Sequence, residues 1–308
     1  LIIDGLKQFM EQVKTALICY GGGMKVAFTA GALIELAKNF GVTNFDVLIG
    51  ASSSAPTLTY FYTGQYGAIS QMWTKELNTR LFLNKLNLFS GRPIFNLDYL
   101  VDEIFRRRYP VDLAKLINQP GDLFIPFYDY QNQKIVYYHN HEKNGFDIWE
   151  SMKATMTINH HHLPERVSPM SHYVDPELVS PFVYQKAIDL GVTHFLIINA
   201  DKKQDWSVQQ RLGFWLFRIF QTRHFPAEIK GLLKNHLKII RANQQDFTEF
   251  CQNHQVLVVD PLPGIKLSVL QSGHGHLSQV INYGRQALRS KSDNQMLEVF
   301  RRRSRELC

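Results

Sequence analysis

No apolar run in this 308-residue chain approaches the roughly 18 residues that a membrane-spanning helix needs, which excludes a helical membrane protein. No basic-then-apolar leader stands at its start, which is Leu1. The expected location is therefore cytoplasmic or peripheral to a membrane, with leaderless export left open. Cysteine is scarce: Cys19, Cys251 and Cys308 are odd in number and far apart. That argues against a disulfide framework or a zinc site and for a reducing compartment. Acidic residues are outnumbered, 27 Asp and Glu against 34 Lys and Arg, for a net charge of +7 and a pI of about 9.2. Such a balance favours polyanionic partners, either nucleic acid or anionic lipid headgroups. The positive charge gathers at Arg106-Arg107-Arg108 and at Arg301-Arg302-Arg303 with Arg305, and neither cluster sits in a nucleic-acid-binding motif. Both are expected to be solvated helix faces, with contact to an anionic membrane surface second and no nucleic acid partner. Internal repeats and low-complexity segments are also absent.

What is present is 45% hydrophobic content, enough for one large α/β domain or one domain with an extension. Thr15–Tyr20 is apolar and stops at Gly21-Gly22-Gly23, which predicts a buried strand. Lys25 to Phe40 has helical spacing and ends at Gly41. Phe45–Ile49 reads as the next strand and Ser53 to about Tyr62 as the next helix, with Pro56 tolerated in its first turn. Strand-helix-strand-helix order predicts a parallel sheet. Farther on, Leu97–Phe105 is amphipathic, Leu123–Tyr128 and Lys134–His139 alternate like a hairpin, and Ile148–Thr157 reads as a helix. Val183–Leu190 reads as helix, His194–Asn199 as buried strand, 201–250 as basic and helical, Val256–Val259 as strand and 275–308 as a charged helical tail.

Three pieces carry chemistry. Gly21-Gly22-Gly23-Met24-Lys25 lies between a strand and a helix, where glycines let backbone N–H groups converge on an anion. It is a poor dinucleotide fingerprint, because Val26 occupies the last glycine position, and a better oxyanion loop. Gly50-Ala51-Ser52-Ser53-Ser54 follows a strand and enters a helix, the setting of a nucleophile elbow that would lift Ser52 out of the sheet edge. The plainer reading is that Ser52 or Ser53 caps the helix. Asp175, in Tyr173-Val174-Asp175-Pro176-Glu177-Leu178, is a candidate base or a simple turn former.

Taken together these segments resemble the patatin-like phospholipases. That family carries Gly-Gly-Gly-x-Arg/Lys-Gly, Gly-x-Ser-x-Gly and Asp-Gly-Gly/Ala motifs in that order, here Gly21–Val26, Gly50–Ser54 and Asp175-Pro176-Glu177. Ala30-Gly31-Ala32-Leu33, Leu178-Val179-Ser180-Pro181 and Ala187–His194 are similar to its flanking segments, and the likeness covers about 15–200. Asn96–Leu100 and Asp260-Pro261-Leu262-Pro263 resemble a bacterial branch with a C-terminal extension. The resemblance implies a three-layer α/β/α fold with a mainly parallel sheet over 15–200 and a mainly helical extension over 201–308. It implies a serine lipid acyl hydrolase in which Ser52 attacks an ester carbonyl and Asp175 takes its proton directly. The oxyanion would be held by the Gly21, Gly22, Gly23, Met24 and Lys25 loop, and Gly50 and Ser54 would flank the elbow. Neither cofactor nor metal is implied.

Each motif departs from the pattern by one glycine, at Val26, Ser54 and Pro176. Pro176 has a fixed φ and no N–H, so a loop that used positive φ there would run differently and displace Asp175. Glu177 adds a charge beside it. The alternative is thus a catalytically degenerate lipid-binding or regulatory protein on the same fold; nucleotide binding through the Gly21–Gly23 loop is a third reading. Among the histidines, His160 and His162 of the run His160–His162, with His172, would be the ligands of a metal site, against a polar loop as the simpler reading. His139 and His141 fit a solvated edge. His274 and His276 follow Ser52 in a Ser-Asp-His order, but their flanking glycines suggest a loop. Aromatic residues interleaved with Arg over 213–220 suggest a core helix, or an interfacial segment.

Overall fold

The computed structural model describes residues 13–90, 92–142, 145–157, 172–180, 182–200, 216, 222, 225–270 and 272–307. Seven strands form one sheet: β1 (Thr15–Cys19), β2 (Val47–Gly50), β3 (Asp122–Asp129), β4 (Lys134–His139), β5 (Tyr173–Val174), β6 (His194–Ile198) and β7 (Gln255–Val259). Their order is β4-β3-β2-β1-β6-β7, with β5 pairing to β3. The inner pairs β1–β2, β2–β3, β1–β6 and β6–β7 are parallel, while β4 and β5 run antiparallel to β3. β1 is buried along its whole length, as a central parallel strand must be when both faces are covered.

Alternation along each strand divides the core in two. Leu17, Cys19, Leu48, Leu196 and Ile198 face one side, and Ala16, Ile18, Val47, Ile49 and Ile197 face the other. The first face packs under α1 (Ala27–Lys38), α2 (Ser54–Tyr62) and α3 (Ile148–Met156). The opposite face packs under α4 (Ala227–Asn253) and the short Gln185–Asp189 helix. Helices α5 (His274–Arg289) and α6 (Gln295–Glu306) return to the first face, completing a three-layer α/β/α arrangement. The amphipathic stretch Leu97–Phe105 runs into a π-helical segment, Tyr99–Arg108, that buries Leu100, Val101, Ile104 and Phe105. Among the described residues no helix is long and apolar enough to cross a membrane.

The residues after 200 are woven into this architecture. β7 extends the sheet beside β6, and α5 lies directly on α1. A Cβ added to Gly31 of α1 would run into the Ile281 carbonyl, and one added to Gly284 of α5 would run into the Phe28 carbonyl. The two helices cross backbone against backbone. α6 brings Phe300 against Phe45 and Arg303 onto Asp46 at 2.6 Å. Burial works to raise the Asp46 carboxyl, but the Arg303 guanidinium and the Thr15 N–H and hydroxyl hold it below its usual range. The expectation of a solvated Arg301–Arg305 face is corrected on this point. Arg303 is an ion-pair anchor and Arg301 donates to the Phe40 carbonyl at 2.8 Å, whereas Arg302 and Arg305 are exposed. Arg106, Arg107 and Arg108, by contrast, are all exposed, Arg108 while pairing with Glu76 at 2.8 Å and Glu103 at 3.1 Å.

The glycine crossing gives a test. Gly31→Ala or Gly284→Ala is expected to lower unfolding free energy by about 3 kcal/mol or more, the scale of forced overpacking. Gly231→Ala, in the open interior of α4, is expected to raise it by about 0.5–1 kcal/mol. Urea denaturation of the three variants reads the difference.

Candidate active site

β1 and β2 pair in parallel with Cys19 opposite Gly50, and the ladder ends where Ala51 N–H donates to the Cys19 carbonyl at 3.1 Å. Two loops therefore leave the same sheet edge side by side: Gly21–Val26 after β1, and Ala51–Ser53 after β2. This is the C-terminal edge of the parallel strands, where α/β sheets open a crevice.

Ser52 stands at the turn with φ of +51°, one of two non-glycine residues of positive φ among those described. A left-handed serine costs about 1–2 kcal/mol, so the surroundings must hold it. Its N–H donates to Thr155 Oγ1 of α3 at 2.9 Å, in a buried setting. Gly50 lets α2 approach, because a Cβ there would stand 2.9 Å from Ala55 Cα. Ser54 fills the place of the second motif glycine without loss of packing. It is fully buried and its hydroxyl donates to the Tyr20 carbonyl at 2.6 Å, tying the start of α2 to the end of β1. Ser53 donates to the Gly23 carbonyl at 3.1 Å and joins the elbow to the glycine loop.

Asp175 reaches the same place from the other side. β5 pairs Val174 with Tyr128 at the far end of β3, and Asp175 N–H donates to the Thr157 carbonyl, just beyond α3, at 2.9 Å. The Ser52 side chain lies near enough to the Asp175 carboxyl to favour its charged form. The carboxylate accepts the Glu177 N–H at 2.9 Å, so that it caps the short helical turn Pro176–Leu178. Pro176 occupies the first position of that turn, where a missing N–H costs nothing and φ near −65° suits the chain. Pro176 is accommodated in this turn, and Asp175 stays near Ser52. Burial drives the Asp175 carboxyl up to about 7, against the Ser52 side chain and the Glu177 N–H, which favour its charged form. A carboxylate so poised can exchange a proton with a serine hydroxyl near neutral pH.

In the glycine loop, Gly22 and Gly23 have φ of +133° and +59°. Met24 N–H donates to the Val269 carbonyl at 3.0 Å and Lys25 N–H to the Gly22 carbonyl at 3.3 Å. These two amides, placed in the oxyanion loop by the motif, are engaged in holding its shape. The amides of Gly21, Gly22 and Gly23 donate to no other described residue. Val26 is buried in the core, past these donors. The Glu177 side chain lies against Gly21 on the side where a Cβ would point, with Cδ 2.9 Å and Ser52 Cβ 2.5 Å from that point. Only glycine at 21 admits this packing.

Thr155, Val269 and the reach of Glu177 to Gly21 escape sequence reasoning. A buried threonine near the end of an apolar helix was the one visible signal for the first of them. The histidines fall differently from expectation. His139 stacks on Phe124 at 4.4 Å and bonds Asp122 at 2.8 Å, so it is no solvated edge residue, while His141 is exposed. His274-Gly275-His276 opens α5 rather than forming a loop. His160, His161 and His162, and 213–220 apart from Leu216, lie outside the described residues. Among the described residues no group of three or more His, Cys, Asp or Glu is placed to hold a metal ion.

The family model of the patatin-like phospholipases matches residues 17–181. The uncharacterized protein YjjU of Escherichia coli (strain K12) is 33% identical over 89 residues, which are 29% of this chain and 25% of that protein. The chain thus matches about a quarter of that relative's length. Among solved structures, VipD from Legionella pneumophila aligns over 91% of this chain and 67% of its own, at 12% identity and a TM-score of 0.46. The type III effector protein ExoU aligns over 91% and 54%, at 16% identity and a TM-score of 0.41.

The raised Asp175 carboxyl has a stability signature. Its ordinary value is 3.8 and its folded value about 7, so the native state binds the extra proton between them. Its stabilisation is complete below about pH 4 and is lost as pH rises through about 7. Between pH 5 and pH 8 the wild type is expected to lose about 3 kcal/mol that Asp175→Asn does not. Urea titrations at the two pH values check this, and equal losses in both proteins would contradict it.

Proposed function

Since the chain belongs to the patatin-like phospholipase family, we propose that it is a serine lipid acyl hydrolase that releases fatty acids from phospholipids or related esters. The observation that supports this reading is the nearness of Ser52, held in a strained elbow, to the buried Asp175 carboxyl, whose charged form the Ser52 side chain favours. A serine hydroxyl is a weak nucleophile without a base close by, and in this reading Asp175 is that base with no histidine between. We place the catalytic unit over 15–200, with 201–308 supplying β7 and the helices that cover it.

In this mechanism Ser52 Oγ attacks the ester carbonyl carbon while its proton passes to Asp175. The carbonyl oxygen becomes an oxyanion and lies toward the amides of Gly22 and Gly23, with Gly21 beside them. Fixed donors aimed at developing charge are a large term in acyl transfer, worth about 10²–10³ in rate for a single donor. Collapse of the tetrahedral intermediate breaks the bond to the alcohol, which takes the proton back from Asp175. Water then attacks the acyl-Ser52 ester with Asp175 again as base, and the fatty acid leaves with Ser52 restored. A base near 7 is half ionised at neutral pH, so kcat is expected to rise through that value and level off above it.

Glu177 works against this chemistry. Its carboxylate lies at Gly21, next to donors meant for an anion. Charge there destabilises an oxyanion, and partial exposure moderates the effect.

The test is turnover of an acyl ester by wild type, Ser52→Ala and Asp175→Asn, with fluorophosphonate labelling beside it. Both variants are expected to lose about a thousandfold or more in kcat/KM, and Ser52→Ala to lose the label. Equal rates in all three would point instead to the degenerate lipid-binding reading. Glu177→Gln is expected to raise kcat/KM about tenfold, from removal of one nearby charge.

A further inference from the structure

Residues 81–90 and 92–96 make an excursion from the fold beside the glycine loop. Asn84 N–H donates to the Ile94 carbonyl and Asn96 N–H to the Phe82 carbonyl, a short antiparallel clasp closed by Leu83 opposite Phe95. The small helix Asn87–Ser90 sits at its tip. Phe82 and Phe95 pack together at 5.6 Å and anchor the base. Other apolar side chains point outward: Leu81, next to the base, is 62% exposed, and Leu86 and Phe89 at the tip are 74% and 59%. Val269, 44% exposed, continues the apolar surface from the neighbouring loop. These are four of the seven large hydrophobic side chains that stand exposed among the described residues, so the exposure is concentrated rather than scattered.

Position and charge say what covers this surface. Val269 Cγ1 and Phe95 Cζ both lie on Gly23, 2.9 and 3.7 Å from where its Cβ would stand, so the patch borders the oxyanion loop. Arg80, Lys85 and Arg92 are exposed around it, Lys266 is exposed in the neighbouring loop, and 77–97 contains no Asp or Glu. An apolar tip ringed by cations of one sign suits the boundary between anionic headgroups and acyl chains. We propose that the 80–92 excursion, with Val269 and Lys266 beside it, is the surface by which this protein docks on an anionic lipid bilayer. The inference rests on the reading of Ser52 as a lipid hydrolase for its purpose: docking there presents the glycine loop to the membrane.

The experiment uses the Ser52→Ala protein, which consumes no lipid, and co-sedimentation with vesicles of phosphatidylcholine with or without phosphatidylglycerol. Binding is expected with phosphatidylglycerol present and to weaken as salt rises. Adding Leu86→Asp and Phe89→Asp is expected to weaken it roughly a hundredfold, the effect of two lost apolar insertions. Adding Arg80→Glu and Lys85→Glu is expected to weaken binding to the anionic vesicles about tenfold or more. Ile117→Asp, an equally exposed site on the Leu113–Asn118 helix before β3, should bind as the parent does. Parent-like binding by Leu86→Asp/Phe89→Asp would overturn the proposal, as would an equal loss in Ile117→Asp. A concentration-dependent dimer that needs Leu86 and Phe89, with no vesicle binding, would assign the patch to a second copy of the chain and overturn it too. Fluorophosphonate labelling of the same substitutions on the Ser52 background verifies the fold. Vesicle binding without Ser52 labelling would sink the hydrolase reading alone, and labelling without vesicle binding would sink the docking surface alone.

Discussion

The parallel ladder between β1 and β2 is the constraint on which the site depends. Its last bond, Ala51 N–H to the Cys19 carbonyl, fixes the elbow and the glycine loop at one level of the sheet edge. Ser53 and Ser54 then cross-link them through the Gly23 and Tyr20 carbonyls. A slip of one residue would turn every side chain of β2 to the other face and carry Ser52 away from the loop. The strain of a left-handed serine is tolerable because the ladder, Thr155 and the close packing allowed by Gly50 leave the turn no relaxed alternative.

Electrostatics at the site is a contest between burial and hydrogen bonding around Asp175. Full burial alone would leave the carboxyl protonated and useless as a base; strong hydrogen bonding alone would leave it ionised and too weak a base. The Ser52 hydroxyl and the Glu177 N–H offset the desolvation only in part, so the group sits near neutrality. The same turn that supplies the Glu177 amide also sends the Glu177 carboxylate toward Gly21. Support for the proposed base and interference with the proposed oxyanion donors thus come from one residue, through its backbone and its side chain respectively.

Much of the fold was legible because its signals are local. Apolar runs at Thr15–Tyr20, Phe45–Ile49 and His194–Asn199 become β1, β2 and β6 with boundaries shifted by one or two residues. The 123–128 and 134–139 alternation becomes the antiparallel pair β3–β4. Ser52 and Asp175 were legible through their motifs and neighbours. What sequence reasoning missed depends on partners distant in the chain: Thr155 under Ser52, Val269 on Met24, Arg303 on Asp46. Pro176 read as a disruption because its motif neighbours in the family are glycines; in place it simply starts a helical turn that Asp175 caps. Glycines around His274 and His276 suggested a loop, but Leu277, Val280 and Ile281 are buried, and packing on α1 overrides weak local propensity.

The glycine crossing of α1 and α5 also bears on how the protein is made. A chain emerging from the ribosome completes β1, β2 and Asp175 well before residues 269–303 exist. Until then the outer face of α1 is bare, Asp46 lacks its guanidinium, and the Met24 amide has no carbonyl at 269 to hold the glycine loop in shape. Contacts of such long sequence separation form late because the intervening loop must close first. The nascent protein therefore carries Ser52 and Asp175 beside an unfinished glycine loop, which takes its final form only once the chain has been synthesised beyond residue 269.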